Sequence, residues 1–237
     1  AIKAEYIRVN EKIVKANYVV RPGDVIKFVM PYQRRGLEIL PEAIPLNIVY
    51  EDENILLLDK KVGLLSHPDE TEYNDTLITR VKRYLYEKGD YNPKDEHSFA
   101  PALVNRIDRN TGGIVIAAKN AETLRILNQK IKDRELEKKY LCVAKGALPK
   151  KKDTLTAYLF KDSSENRVHI TNKKTPQNRT IITEYTVIDS FSEMSLLEIN
   201  LLTGRTHQIR AHLAYIGHPL LGDGKYGDNR LNKLYNF

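Results

Sequence analysis

Two short runs hold most of the residues in this 237-residue chain whose types and spacing suit chemistry. The first is Asn105-Arg106-Ile107-Asp108-Arg109-Asn110-Thr111-Gly112-Gly113, followed by Ile114-Val115-Ile116-Ala117-Ala118. Crowded Val and Ile after two glycines predict a buried strand behind a turn. Arg106 and Asp108 are two apart, so in extended chain both project to one side and Ile107 to the other. A carboxylate so placed, with two arginines beside it, suits an acid that acts on a ligand. By residue type alone it equally suits the start of a turn. The second run is Thr203-Gly204-Arg205-Thr206-His207-Gln208-Ile209-Arg210-Ala211-His212-Leu213. Gly204 breaks a strand, and Thr206 is the expected N-cap of a helix. Ile209, Leu213 and Ile216 give that helix its buried face, and Gly217 stops it. Arg205 stands at the junction, beside amides that favour anions. There a guanidinium can pair with a carboxylate or grip a phosphate.

Metal and hydrolase chemistry fit these runs poorly. His207 and His212 are five apart, roughly 140° around a helix axis, and do not converge on one ion. Cys142 is the only cysteine, so neither an internal disulfide nor a zinc site built on a cysteine cluster is open to the chain. No serine has an evident base and orienting group beside it.

The elements that must position these runs are mainly strands. Residues 1–31 read as two short strands around turns at Asn10-Glu11 and Pro22-Gly23, and a linker follows over residues 32–44. Ile48-Val49-Tyr50 and Ile55 to Lys60 form a hairpin across Glu51 to Asn54. Asp75 is expected to cap a helix reaching Lys88, with Gly89 as its stop. Asn120 caps a second helix, with Leu124, Leu127 and Ile131 as its apolar stripe. Tyr140 to Ala144 is apolar on both faces, which predicts a central strand. Residues 147–180 read as basic and irregular, apart from a strand at Arg167 to Ile170. A last hairpin joins Thr180–Ile188 to Ser195–Leu202 across Asp189-Ser190. Strands outnumber helices and do not alternate with them. The expected class is therefore α+β with a mostly antiparallel sheet, not a doubly wound nucleotide-binding fold, and no phosphate-cradling glycine loop is present.

The net charge of +7 makes a polyanionic partner plausible, and 14 tyrosines supply rings able to stack on bases. No apolar run approaches membrane-spanning length, the first residues do not resemble a signal peptide, and the lone cysteine suits a reducing cytoplasm. The chain starts at Ala1 rather than Met, so a trimmed N-terminus is expected.

Taken in order, three motifs resemble the RluA family of RNA pseudouridine synthases. The first run resembles His-Arg-Leu-Asp-x-x-Thr-Ser-Gly. Lys138-Lys139-Tyr140 resembles Lys-x-Tyr. The second run resembles Thr-Gly-Arg-x-His-Gln-Ile-Arg-x-His, and it is followed by Gly217-His218-Pro219-Leu220 and Gly222-Asp223. The likeness covers about residues 45–228. Asn105, Gly113 and Lys61 depart from the family pattern, and none of them is the acid. The resemblance implies a pseudouridine synthase fold over residues 45–237, with a central RNA-binding cleft flanked by helices and loops. It implies a uridine-to-pseudouridine isomerase without cofactor or metal. Asp108 would be the essential acid, Arg205 its partner, and Tyr140 the ring that stacks on the uracil; Arg106, Lys138 and Arg210 would contact RNA. Residues 1–31 resemble the C-terminal half of an S-four-like RNA-binding module, which points to large-subunit ribosomal RNA over transfer RNA. A monomer is the default expectation. A catalytically inactive RNA-binding relative and, further off, a metal-dependent nuclease are the alternatives.

Overall fold

The computed structural model describes residues 7–14, 17–28, 44–95, 99–162 and 167–236. Three antiparallel sheets carry the chain. The first contains β1 (Ile7–Val9), β2 (Lys12–Ile13) and β3 (Ile26–Phe28) in the order β2-β1-β3, three strands where two were expected. Both expected turns are present. Asn10 and Glu11 adopt φ of 49° and 65°, and Gly23 adopts 93°. The Asn10 amide ties the two turns together, donating to Asp24 Oδ1 and accepting from the Val25 N–H. Residues 1–6 and 29–43, which include most of the expected linker, lie outside the described residues.

The second sheet contains β4 (Ile48–Glu51), β5 (Ile55–Lys60), β6 (Ala102–Leu103) and β7 (Gly113–Ala118) in the order β4-β5-β7-β6. Period-two alternation turns Leu56, Leu58 and Lys60 of β5 inward. Leu56 and Leu58 meet Val115 and Ala117 of β7, and Val81 and Leu85 of helix α1 (Leu77–Lys88), in one core. Helix α1 starts one residue later than expected. Its cap is Thr76, in a reciprocal box with Thr79, and Asp75 instead takes a fork of two bonds from Arg80. Asn120 caps α2 (Ala121–Lys132) as expected, but none of that helix's residues is fully buried.

The third sheet runs β10-β9-β11-β12-β8. Its strands are β8 (Lys139–Lys145), β9 (Lys152–Asp162), β10 (Arg167–Thr171), β11 (Arg179–Phe191) and β12 (Met194–Leu201). Three expectations change here. Strand β8 is an edge, not central. Its inner face packs Tyr140, Cys142 and Ala144 on the core, while Leu141 on the other face is 68% exposed. Residues 152–162, expected to be irregular, form an 11-residue strand. Ala157 and Leu159 point inward there, but flanking lysines hide the alternation in the sequence. The hairpin reverses beyond Phe191, with Ser192 at φ 51°, because a bulge between Val187 and Asp189 carries β11 past the expected turn. Helices α3 (Gln208–Tyr215) and α4 (Asn229–Leu234) complete the described chain. No helix among the described residues is long and apolar enough to cross a membrane.

His212 lies inside this core, 1% exposed, with Nδ1 3.0 Å from Thr183 Oγ1. Burial pulls its pKa down to about 4. The unfolded chain therefore binds a proton between about pH 6.5 and pH 4 that the folded chain refuses. His212 should contribute about 3 kcal/mol of stability that is lost as pH drops through that window, and His212→Asn should flatten that part of the slope in urea titrations at stepped pH.

Candidate active site

Asp108 lies in the loop between β6 and β7. The loop continues the strand pairing for one residue, through Val104 N–H to Ile116 O at 2.8 Å. The Asn105 side chain then replaces backbone, accepting from Ile116 N–H at 2.8 Å and donating to Ile114 O at 3.3 Å. Ile107 packs on the second-sheet core while Arg106 is exposed. The expected alternation of sides thus holds, with Asp108 directed away from that core.

The segment after β5 holds the loop from beneath. Lys60, 1% exposed, donates to three carbonyls: Lys61 at 3.0 Å, Leu64 at 2.7 Å and Arg109 at 3.1 Å. Burial pulls its pKa down to about 8, against the pull of the Asp108 charge. Ser66 Oγ donates to Ile107 O at 3.0 Å, and Gly63 N–H to Arg109 O at 2.8 Å. Gly112 packs against the segment after β5. A Cβ there would stand 3.4 Å from Val62 Cγ2 and 3.5 Å from Lys60 O.

The other wall comes from the third sheet. After β12 the chain turns through Thr203 to His207 and enters α3. The helix cap is His207, at φ 53°, rather than Thr206. No side chain caps the helix, and Gln208 instead braces the turn before it. Its buried amide accepts from Thr203 Oγ1 at 3.0 Å and Arg205 N–H at 3.1 Å, and donates to Ile182 O and Thr183 Oγ1 of β11. The turn is thereby stapled to the sheet.

Arg210, on the first turn of α3, bridges two carboxylates. Nη1 meets Asp108 Oδ2 at 2.9 Å; Nε and Nη2 grip Asp223 at 2.7 and 3.0 Å. Burial alone would lower the arginine's pKa, but its bonds to Asp223 and Asp108 raise it. Asp223 is 7% exposed and also accepts the N–H groups of Lys225 and Tyr226. These bonds hold its carboxyl below the usual range although burial pushes the other way. The Tyr226 ring lies under both guanidinium groups, 5.3 Å from Arg210 and 5.2 Å from Arg167. His207 Nε2 stands 3.8 Å from Asp108 Oδ2.

This geometry corrects one expected pairing. The guanidinium on Asp108 belongs to Arg210, not Arg205. Arg205 precedes the left-handed turn and is exposed, with its backbone N–H committed to Gln208. Arg210, expected as an RNA contact, follows that turn and faces inward. Tyr140 sits half-buried on β8 among the residues of the third-sheet core. Burial first, and the charge of Asp108 second, raise its phenol pKa, so the hydroxyl keeps its proton near the carboxylate. Lys138 lies against Gly204, with Nζ 3.5 Å from where a Cβ would be. Sequence reasoning missed Lys60, His207 and Tyr226 as parts of the site. It quoted Asp223 within a motif but gave it no role.

An acid pinned by an arginine, on a loop of one antiparallel sheet and bonded to a helix that follows another, is the setting in which the comparisons with known proteins fall. The RNA pseudouridylate synthase family model matches residues 54–215, and the chain belongs to that family, as its RluA-type motifs implied. It is 35% identical over 197 residues to "Ribosomal large subunit pseudouridine synthase D" of Borreliella burgdorferi, covering 82% of this chain and 59% of that protein. The chain therefore spans about three fifths of that relative's length. It is 34% identical over 235 residues to an uncharacterized RNA pseudouridine synthase of Bacillus subtilis, YhcT, covering 98% of this chain and 73% of the relative. Human RNA Pseudouridylate Synthase Domain Containing 1 shares the fold at 22% identity. Its TM-score is 0.63, over 81% of this chain and 74% of that one.

Replacing Asp223 with Asn should weaken the grip on Arg210 and let Asp108 drift. The expected outcome is a loss of roughly tenfold to a hundredfold in single-turnover rate, as for other outer-shell partners, with RNA affinity nearly unchanged. Rapid-quench kinetics beside filter binding measures both.

Proposed function

We propose that this chain converts a uridine in structured RNA to pseudouridine, with Asp108 as the essential acid and large-subunit ribosomal RNA as the target. The carrying observation is the placement of Asp108: its Oδ2 is pinned by a guanidinium that a second, buried carboxylate holds in place. The name of the Borreliella burgdorferi relative, a ribosomal large subunit pseudouridine synthase, and the S-four-like pattern in residues 1–31 support the ribosomal target.

The reaction breaks the glycosidic bond, turns the uracil and rejoins it through carbon 5. It is an internal rearrangement and needs no cofactor. Asp108 either attacks the anomeric carbon of the ribose or removes a proton from the neighbouring carbon, and both routes need an ionised carboxylate. Arg210 fixes one oxygen of that carboxylate at 2.9 Å. Tyr140 supplies an aromatic face for the extruded base and a protonated hydroxyl near the acid. Arg106, exposed beside Asp108, offers a guanidinium plane to fill the gap that the flipped base leaves. Lys138 and the exposed Arg205 are placed to follow phosphates. A reducing cytoplasm is the proposed compartment, where one unpaired cysteine is unremarkable.

The nuclease alternative loses ground to geometry. His207 turns to Tyr226 and His212 to Thr183, so the two rings engage different partners.

Replacing Asp108 with Asn should abolish pseudouridine formation, read by a pseudouridine-specific chemical label, while RNA binding stays within severalfold. Normal turnover in that variant would reject the assignment, and a wild type that binds RNA without labelling it would favour an inactive binding protein. Tyr140→Phe should still bind and stack the base but turn over slowly; wild-type rates would remove the hydroxyl from the mechanism.

A further inference from the structure

His207 has a backbone that few non-glycine residues adopt, at φ 53° and ψ 20°. That conformation directs its ring into the space between Asp108 and Tyr226. Nδ1 lies 3.0 Å from Tyr226 Oη and Nε2 lies 3.8 Å from Asp108 Oδ2. The two rings meet edge to face, 5.6 Å between centroids.

The proton on the imidazole can be placed by counting donors. Tyr226 Oη already accepts the Val168 N–H at 2.9 Å. Its own hydrogen needs an acceptor, and His207 Nδ1 is within reach. If Nδ1 instead carried the hydrogen, the Tyr226 hydroxyl hydrogen would lose that acceptor. The lone pair of Nε2 would then face a carboxylate oxygen. Both faults disappear when Nδ1 accepts and Nε2 carries the hydrogen. Burial holds the imidazole below its ordinary pKa, with Arg210 and Lys225 adding to that effect and Asp108 and Asp223 opposing it. The ring is therefore neutral near pH 7, with its single N–H toward the acid.

We propose, resting on the isomerase reading, that His207 is a positioning residue held in its Nε2–H tautomer by Tyr226, and that with Arg210 it fixes Asp108 Oδ2 so that Oδ1 is the oxygen that meets the ribose. A relay of hydrogen bonds runs from Val168 in β10 through Tyr226 to His207, and its last N–H points at the acid. At 3.8 Å that final contact is longer than a hydrogen bond, and contacts of this kind tighten when substrate closes the site. Arg210 already occupies Oδ2. Oδ1 carries no hydrogen bond among the described residues and is left to react.

The test uses the whole chain with nitrogen-15-labelled histidine and an RNA substrate. Long-range nitrogen–proton spectra should show His207 neutral near pH 7 with the proton on Nε2. Tyr226→Phe keeps the ring beneath Arg210 and Arg167 but removes the hydroxyl. The tautomer should then become mixed. Nδ1 also loses the bond that favours its neutral form, so the His207 pKa, read from the same spectra across pH, should rise. The single-turnover rate should fall about tenfold with RNA affinity unchanged. His207→Gln, which keeps an N–H donor, should retain more activity than His207→Ala. An Nδ1–H tautomer in the wild type, or an unchanged His207 tautomer and pKa in Tyr226→Phe, would overturn the proposal. A wild type with the Nε2–H tautomer but no isomerase activity would support the geometry and reject the functional reading instead.

Discussion

Asp108 and Asp223 come from parts of the chain more than 100 residues apart, and a single guanidinium stands between them. Without Arg210 the buried Asp223 carboxylate would lose its charged partner, and Asp108, 31% exposed, would lose its anchor. Leaving a buried charge unpaired is far costlier than losing a surface pair. The requirement to keep those charges balanced joins the second sheet, which carries the Asp108 loop, to the third, which carries α3 and the segment around Asp223. One guanidinium therefore ties the two sheets together through Asp108 Oδ2.

The rest of the site fits that constraint. The Asp108 loop is supported below by Lys60, Ser66 and Gly63, so the carboxylate meets Arg210 from a fixed platform. The turn before α3 is held by Gln208, so the guanidinium arrives from an equally fixed direction. Tyr140 is mounted differently. Its strand is the edge of the third sheet, bonded along its length on one side to β12 and on the other joined only by the Ala144–Leu220 bridge. The charges are thus braced from both sheets, while Tyr140 sits on an edge strand.

Much of this was legible in the sequence, for reasons visible at particular residues. Asp108 stood out because charged residues alternate with Ile107 at the start of an apolar strand. The caps at Asn120 and Gly89 follow local rules that tertiary packing seldom overrides. The edge position of β8 was not legible, since an edge strand with one face on a core and an apolar residue on the other has the composition of a central one. Strand β9 was hidden because lysines at its flanks outweighed a weak alternation. Arg205 was named from the family resemblance and from its place at the strand-to-helix junction. The left-handed His207 follows it, and Arg210, beyond that turn, is the arginine that meets Asp108. No residue-type rule announces a histidine at positive φ. Lys60 was invisible for a similar reason, because a lysine at the end of a strand ordinarily reaches for solvent.

That lysine places a positive charge among three main-chain oxygens, an environment proteins otherwise give to dissolved cations. Here the cation is covalently part of β5. It cannot diffuse away or be exchanged for another species, and its position is set when the strand pairs. The platform beneath the acid thus carries its own cation, held by the chain itself.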